Sequence, residues 1–117
     1  MTSIKSNLLI LECKETIRSN IQTLEKFLPD ILFLECLTQG REYLEAIRSN
    51  QILRNLFCVT HSGTDYLSQK EESFNAEANL FYLKPTEKEH FVKILTKILT
   101  LNKADYFPPK FESFVIA

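Results

Sequence analysis

Leu80-Phe81-Tyr82-Leu83-Lys84-Pro85 is the stretch whose reading decides the fold: four apolar residues, then a cation and a proline, directly ahead of an amphipathic segment. A bounded apolar run of that length suits a buried strand. Thr86-Glu87-Lys88-Glu89 follows as a capping-box pattern. It starts a helix whose buried face carries Phe91, Leu95 and Ile98. Lys84 then stands where the strand leaves the sheet, at the carboxyl edge where open α/β sheets bind ligands. A lysine there is a candidate anion partner, against the plainer alternative of a solvated turn lysine.

Three earlier runs repeat this strand-then-helix pattern. Leu8-Leu9-Ile10-Leu11 ends in Glu12-Cys13-Lys14-Glu15, and helical spacing begins at once with Ile17, Ile21, Leu24 and Leu28, capped by Thr16 and closed by Pro29. Ile31-Leu32-Phe33-Leu34 again ends in Glu-Cys, so LILEC (Leu9 to Cys13) and LFLEC (Leu32 to Cys36) echo each other 23 residues apart. Gly40 breaks the chain before a short helix marked by Tyr43, Leu44 and Ile47 that ends near Ser49-Asn50. Leu56-Phe57-Cys58-Val59 is the next strand, ending in Thr60-His61-Ser62-Gly63. Between Thr64 and Phe74 only Tyr66, Leu67 and Phe74 can be buried, which predicts a weakly packed third helix.

Composition narrows the class. A chain of 117 residues supports one domain, and 44% hydrophobic and 25% charged residues with a net charge of −1 describe an ordinary globular protein without general attraction for nucleic acid or acidic lipid. No apolar stretch is long enough to cross a membrane and Met1 to Asn7 carries no signal-peptide core, so a cytoplasmic location is expected. Cys13, Cys36 and Cys58 form no CxxC pair; they are expected to be reduced and buried, with no metal site and no cofactor. The domain is drawn over residues 1–101. Residues 102–117 form an aromatic tail (Tyr106, Phe107, Phe111, Phe114) too apolar to be left in water, expected to dock on this chain or another.

Four alternations of strand and helix predict an α/β fold, a doubly wound parallel sheet of about four strands. Crossovers are right-handed, so a sheet whose strands all advance in one direction keeps every crossover helix on one face. That would leave the opposite apolar face to the last helix alone. The order 2-1-3-4 is therefore expected, with helices on both faces and a switch point where Glu12 and Thr60 meet.

Over roughly Leu8 to Leu101 the chain resembles a receiver domain of bacterial two-component response regulators. The resemblance rests on Leu9 to Arg18, on Thr60, and on Ala76 to Pro85, with a spacing from Thr60 to Lys84 close to the family's. It implies a flavodoxin-like fold and a crevice containing Glu12, Thr60 and Lys84. It also implies a cis peptide bond before Pro85. In the family, an acidic pair after the first strand binds magnesium and an aspartate on the third strand accepts a phosphoryl group. Here Cys13 stands beside Glu12, and a thiol serves magnesium badly.

The interval from Glu12 to Lys84 is also short by about one βα unit. Either the acceptor strand is gone, or the edge unit is gone and Glu35 holds the acceptor position; crossover topology favours the first. No aspartate stands at the acceptor position in either case. A degenerate receiver-like domain is expected, not an enzyme, that works through protein contacts. Lys84 would then be a salt-bridge partner of Glu12, and Thr60 a ligand of an anion or of backbone. The last strand with Tyr82, the last helix and the tail would form the surface for a protein partner or a homodimer. Two alternatives stand beside this one: a small anion-binding or enzymatic domain using Thr60, Ser62 and Lys84, and an active receiver with Glu35 as acceptor. His61 is expected at the surface, and His90 has no role.

Overall fold

The computed structural model describes residues 7–12, 16–35, 40–62 and 67–116. The elements alternate as the apolar runs predict: β1 (Leu8–Glu12), α1 (Ile17–Phe27), β2 (Ile31–Glu35), α2 (Gly40–Ser49), β3 (Phe57–Ser62), α3 (Leu67–Asn75), β4 (Leu80–Leu83) and α4 (Lys88–Thr100). The Thr16 hydroxyl accepts from Ser19 N at 3.1 Å and so caps α1. Leu28, in the left-handed region at φ 49°, ends it. At α4 the expected capping box does not form. The N-cap is Glu87, without a side-chain cap bond.

All strand pairs are parallel, and the order is β1-β2-β3-β4. The expected order 2-1-3-4 is therefore corrected, and β1 and β3 do not meet. Each strand is followed by its neighbour through a helix, so right-handed crossovers put α1, α2 and α3 on one face. There Leu24, Tyr43, Leu44, Ile47 and Phe74 pack on Leu11, Leu32, Leu34, Cys58 and Phe81. No residue of α3 is fully buried, in keeping with its weak apolar pattern.

The opposite face is closed by α4 and by the chain beyond it. Ile94 and Ile98, joined by Phe91, Leu95, Leu101, Tyr106 and Ile116, cover Ile31, Phe33, Phe57, Val59, Leu80 and Tyr82. The expectation of a second helix on this face failed because the tail supplies apolar cover that helix counting leaves out. Among the described residues what stays bare on this face is confined to β1, where Leu8 is 38% and Ile10 55% exposed.

The tail also closes the sheet's far edge. A 3-10 turn at Lys103–Tyr106 brings the chain round the sheet, and Val115 forms a parallel bridge with Phe81. Phe81 N donates to Phe114 O, and Ile116 N donates to Phe81 O, both at 2.9 Å. Phe114 is 1% exposed, stacked on Phe81 and edge-on to Phe74. The expected docking of the tail is thus on this chain. Among the described residues the cis peptide bond is Phe107–Pro108, not the expected Lys84–Pro85.

Candidate functional site

Parallel strands bring their carboxyl ends to one edge, and this chain places its candidate residues there because each apolar run ends in polar residues. The register sets Glu12 opposite Glu35, Leu34 opposite Thr60, and Ser62 opposite Leu83. Two acidic positions therefore stand on neighbouring strands; the side chains of Glu12, Glu35 and Ser62 lie outside the described residues, as do Cys13 and Cys36. The switch point expected between β1 and β3 is absent, since β2 runs between them. Glu12 and Thr60 are thus two strand spacings apart, about 10 Å.

Thr60 is 5% exposed, and its hydroxyl donates to Leu80 O at 3.4 Å. It acts as a side chain within β3 tied to neighbouring backbone, since the strand continues to Ser62. Lys84 is exposed just past β4 and forms no ion pair with a described side chain. The three spacings between β1 and β4 span about 14 Å.

Beside Lys84 lies a shallow cavity of about 360 Å³ lined by Ile10, Tyr82, Lys84, Pro85, Thr86 and Phe91, with Glu87 and Lys88 at its rim. Tyr82, expected to offer a surface to partners, is 3% exposed instead. Its ring lies between His61 at 5.3 Å and Phe91 at 6.2 Å, so it belongs to the core under α4. His61 is likewise half-buried against Tyr82 and not a surface residue, while His90 is exposed. Among the described residues no group of three or more His, Cys, Asp or Glu could hold a metal ion.

The densest polar arrangement is at the other end of the sheet, and sequence reading missed it. Arg48, in the last turn of α2, donates to four oxygens. Its Nε and Nη2 reach Glu77 O at 3.0 and 2.7 Å, Nη1 reaches Arg54 O at 2.9 Å and Leu56 O at 2.7 Å, and Nη2 also reaches Asn79 Oδ1 at 2.9 Å. Asn79 Oδ1 accepts from Cys58 N at 2.7 Å, and its Nδ2 donates to Tyr106 O at 2.8 Å. One guanidinium thus gathers the entries to β3 and β4 and, through Asn79, anchors the tail.

The planar fork of arginine suits several carbonyl acceptors at once. The available signal was a cation in a helix's last turn, which usually means only favourable helix polarity. Beneath it the Cys58 thiol is buried, and desolvation pushes its pKa from 9.0 up to about 11, against the pull of Arg48. Such a thiol is a poor nucleophile. A polar cleft of about 570 Å³ between α2 and α3 opens next to Arg48, with Arg41 and Glu45 paired along its α2 wall at 2.9 Å.

The strand order can be set beside that of the family the sequence resembles. A receiver sheet runs 2-1-3-4-5. Removing its second strand leaves four strands in simple succession, as here, whereas removing the third would leave the second chain strand at the edge beside the first. The crossover argument for the order 2-1-3-4 fails because the tail covers the sheet face that the helices leave.

No family model matches the sequence, and no curated protein matches it. Among solved structures the chain is similar to a protein from Chloroflexus aurantiacus J-10-fl provisionally assigned as a response regulator. The TM-score is 0.66 at 22% identity, over 83% of this chain and all of that one. The likeness is one of fold: this chain has a receiver-like α/β fold, built on four parallel strands.

Proposed function

We propose that this chain is a receiver-like signalling domain that takes up no phosphoryl group and acts through contacts with other proteins. The observation that supports this most is the strand order β1-β2-β3-β4, the succession expected if β2 corresponds to the acceptor strand of a receiver sheet. That strand ends in Glu35, one methylene longer than the aspartate of the family. Phosphoryl transfer requires an in-line nucleophile, a metal and a charge partner held together. Here the acceptor differs, the acidic pair is reduced to Glu12 beside Cys13, and the Thr60 hydroxyl is already donated to Leu80 O. What remains is a rigid sheet with its helices, suited to presenting surfaces.

Partner contacts on the last strand and helix would use the residues left outside: Leu83, Val92 and Leu99, which are 42%, 50% and 45% exposed. The anion-binding alternative has less support, because its hydroxyl is buried and bonded while its lysine is exposed and forms no ion pair with a described side chain. Incubation of the full chain with a small-molecule phosphodonor and magnesium, followed by mass spectrometry, tests the proposal. The chain is expected to keep its mass; one added phosphoryl group on an aspartate or glutamate would overturn it.

A further inference from the structure

We infer that the open β1 edge is an interface with a second copy of this chain, in which two β1 strands pair antiparallel about a two-fold axis through Ile10 and join two sheets into one. The inference rests on the edge and on α1, and stands whether or not the chain accepts phosphate.

β1 meets β2 on one side and no described strand on the other. Ile31 N donates to Asn7 O, so the ladder with β2 uses residues 7, 9 and 11 of the strand. The N–H and C=O groups of Leu8, Ile10 and Glu12 therefore point outward. A two-fold axis at Ile10 pairs Ile10 with its own mate and Leu8 with Glu12 of the partner subunit, so each of those groups finds a complement. No carboxylate faces its own copy in that register. The same contact shields Ile10, which is otherwise 55% exposed.

Charge complementarity on α1 is what singles out a second copy. Leu24 points down to the sheet, and Asn20 bonds Tyr43 of α2 at 2.8 Å, which fixes the side of the helix that faces inward along the sheet. Arg18 and Glu25 lie on the other side, over the open edge, seven residues and about two turns apart. Neither is paired with a described residue. In an antiparallel pair of α1 helices, Arg18 meets the partner's Glu25 and Glu25 meets the partner's Arg18.

The two pairings share one axis. Ile10 lies two residues below the end of β1, a drop of about 7 Å. The midpoint between Arg18 and Glu25 lies four to five residues into α1, a rise of about 7 Å, so the two pairings coincide where α1 starts level with the end of β1. Because α1 packs over both β1 and β2, a strand spacing of about 4.8 Å across the new pair sets the two helices about 10 Å apart, an ordinary packing distance.

Sedimentation equilibrium of the full chain is the test. A dimer of twice 13.6 kDa is expected. Ile10→Lys and, separately, Ile10→Pro should yield folded monomers, since the Ile10 N–H is not used within the subunit. Arg18→Glu should weaken the dimer about tenfold, and adding Glu25→Arg should restore it. Both positions are at the helix surface, so this pair reports even if the strand variants fail to fold. A monomer at all concentrations overturns the inference, whether or not this edge captures a different protein. So does a dimer indifferent to Ile10→Lys and to the charge exchange.

Discussion

At the β4 edge of the sheet, Phe81 exchanges hydrogen bonds with Phe114 and Ile116, and a buried phenylalanine locks the tail in place. At the β1 edge, the matching groups of Ile10 face outward beside an exposed apolar side chain. An unpaired strand edge is a template for another chain, and proteins usually blunt it with charge, proline or cover. This chain covers one edge with its own tail. Among the described residues nothing covers the other, which carries exposed Ile10 with Arg18 and Glu25 on the helix above it. The lesson is that a four-stranded parallel sheet need not have two equivalent ends: the β4 edge is paired within the chain, and the β1 edge meets no second strand among the described residues.

The contrast can be broken most strongly at Phe114. Replacing it with alanine empties a core position and should cost about 3–5 kcal/mol in denaturant unfolding, while leaving association through β1 unchanged in whatever remains folded. Next is Arg48→Met, which removes a donor from four oxygens and loosens the anchor of the tail. A loss of about 2 kcal/mol is expected, chiefly from the part-buried Leu56 and Asn79 oxygens left unpaired.

The Cys58 thiol supplies a pH-dependent probe of the same end. Its folded pKa is raised from 9.0 to about 11, so its contribution is intact below pH 9 and is lost as pH rises towards 11. Denaturant midpoints of the parent should fall more steeply across that window than those of Cys58→Ala. The smallest effect is on the β1 side. Tyr43→Phe removes the acceptor of the buried Asn20 amide and should cost about 1 kcal/mol, without altering protection of the β4 edge.

Strands and helices were legible because the apolar runs were short and uniform and because Ile17, Ile21, Leu24 and Leu28 keep helical spacing. Strand order was not, and the reason is particular. The inference toward 2-1-3-4 assumed that only helices cover a sheet face, whereas Tyr106 and Ile116 cover it from the tail. Tyr82 was misplaced for a related reason: alternation shows that a strand residue faces one side, but not that α4 lies on that side. At the site, Lys84 was found by its position past a strand end and Thr60 by its place after an apolar run, though β3 continues to Ser62. Arg48 and Asn79 were not, since their partners are backbone oxygens and amides that sequence spacing does not reveal.

Amide hydrogen exchange on the full chain, resolved at the two edges and repeated over a range of protein concentration, tests the asymmetry most directly. The amides of Phe81 and Ile116 should be protected equally at every concentration, being bonded within the chain. Those of Leu8 and Ile10 should exchange freely when dilute and gain protection as concentration rises. Protection at β1 that ignores concentration, or an unprotected Phe81, would contradict the account.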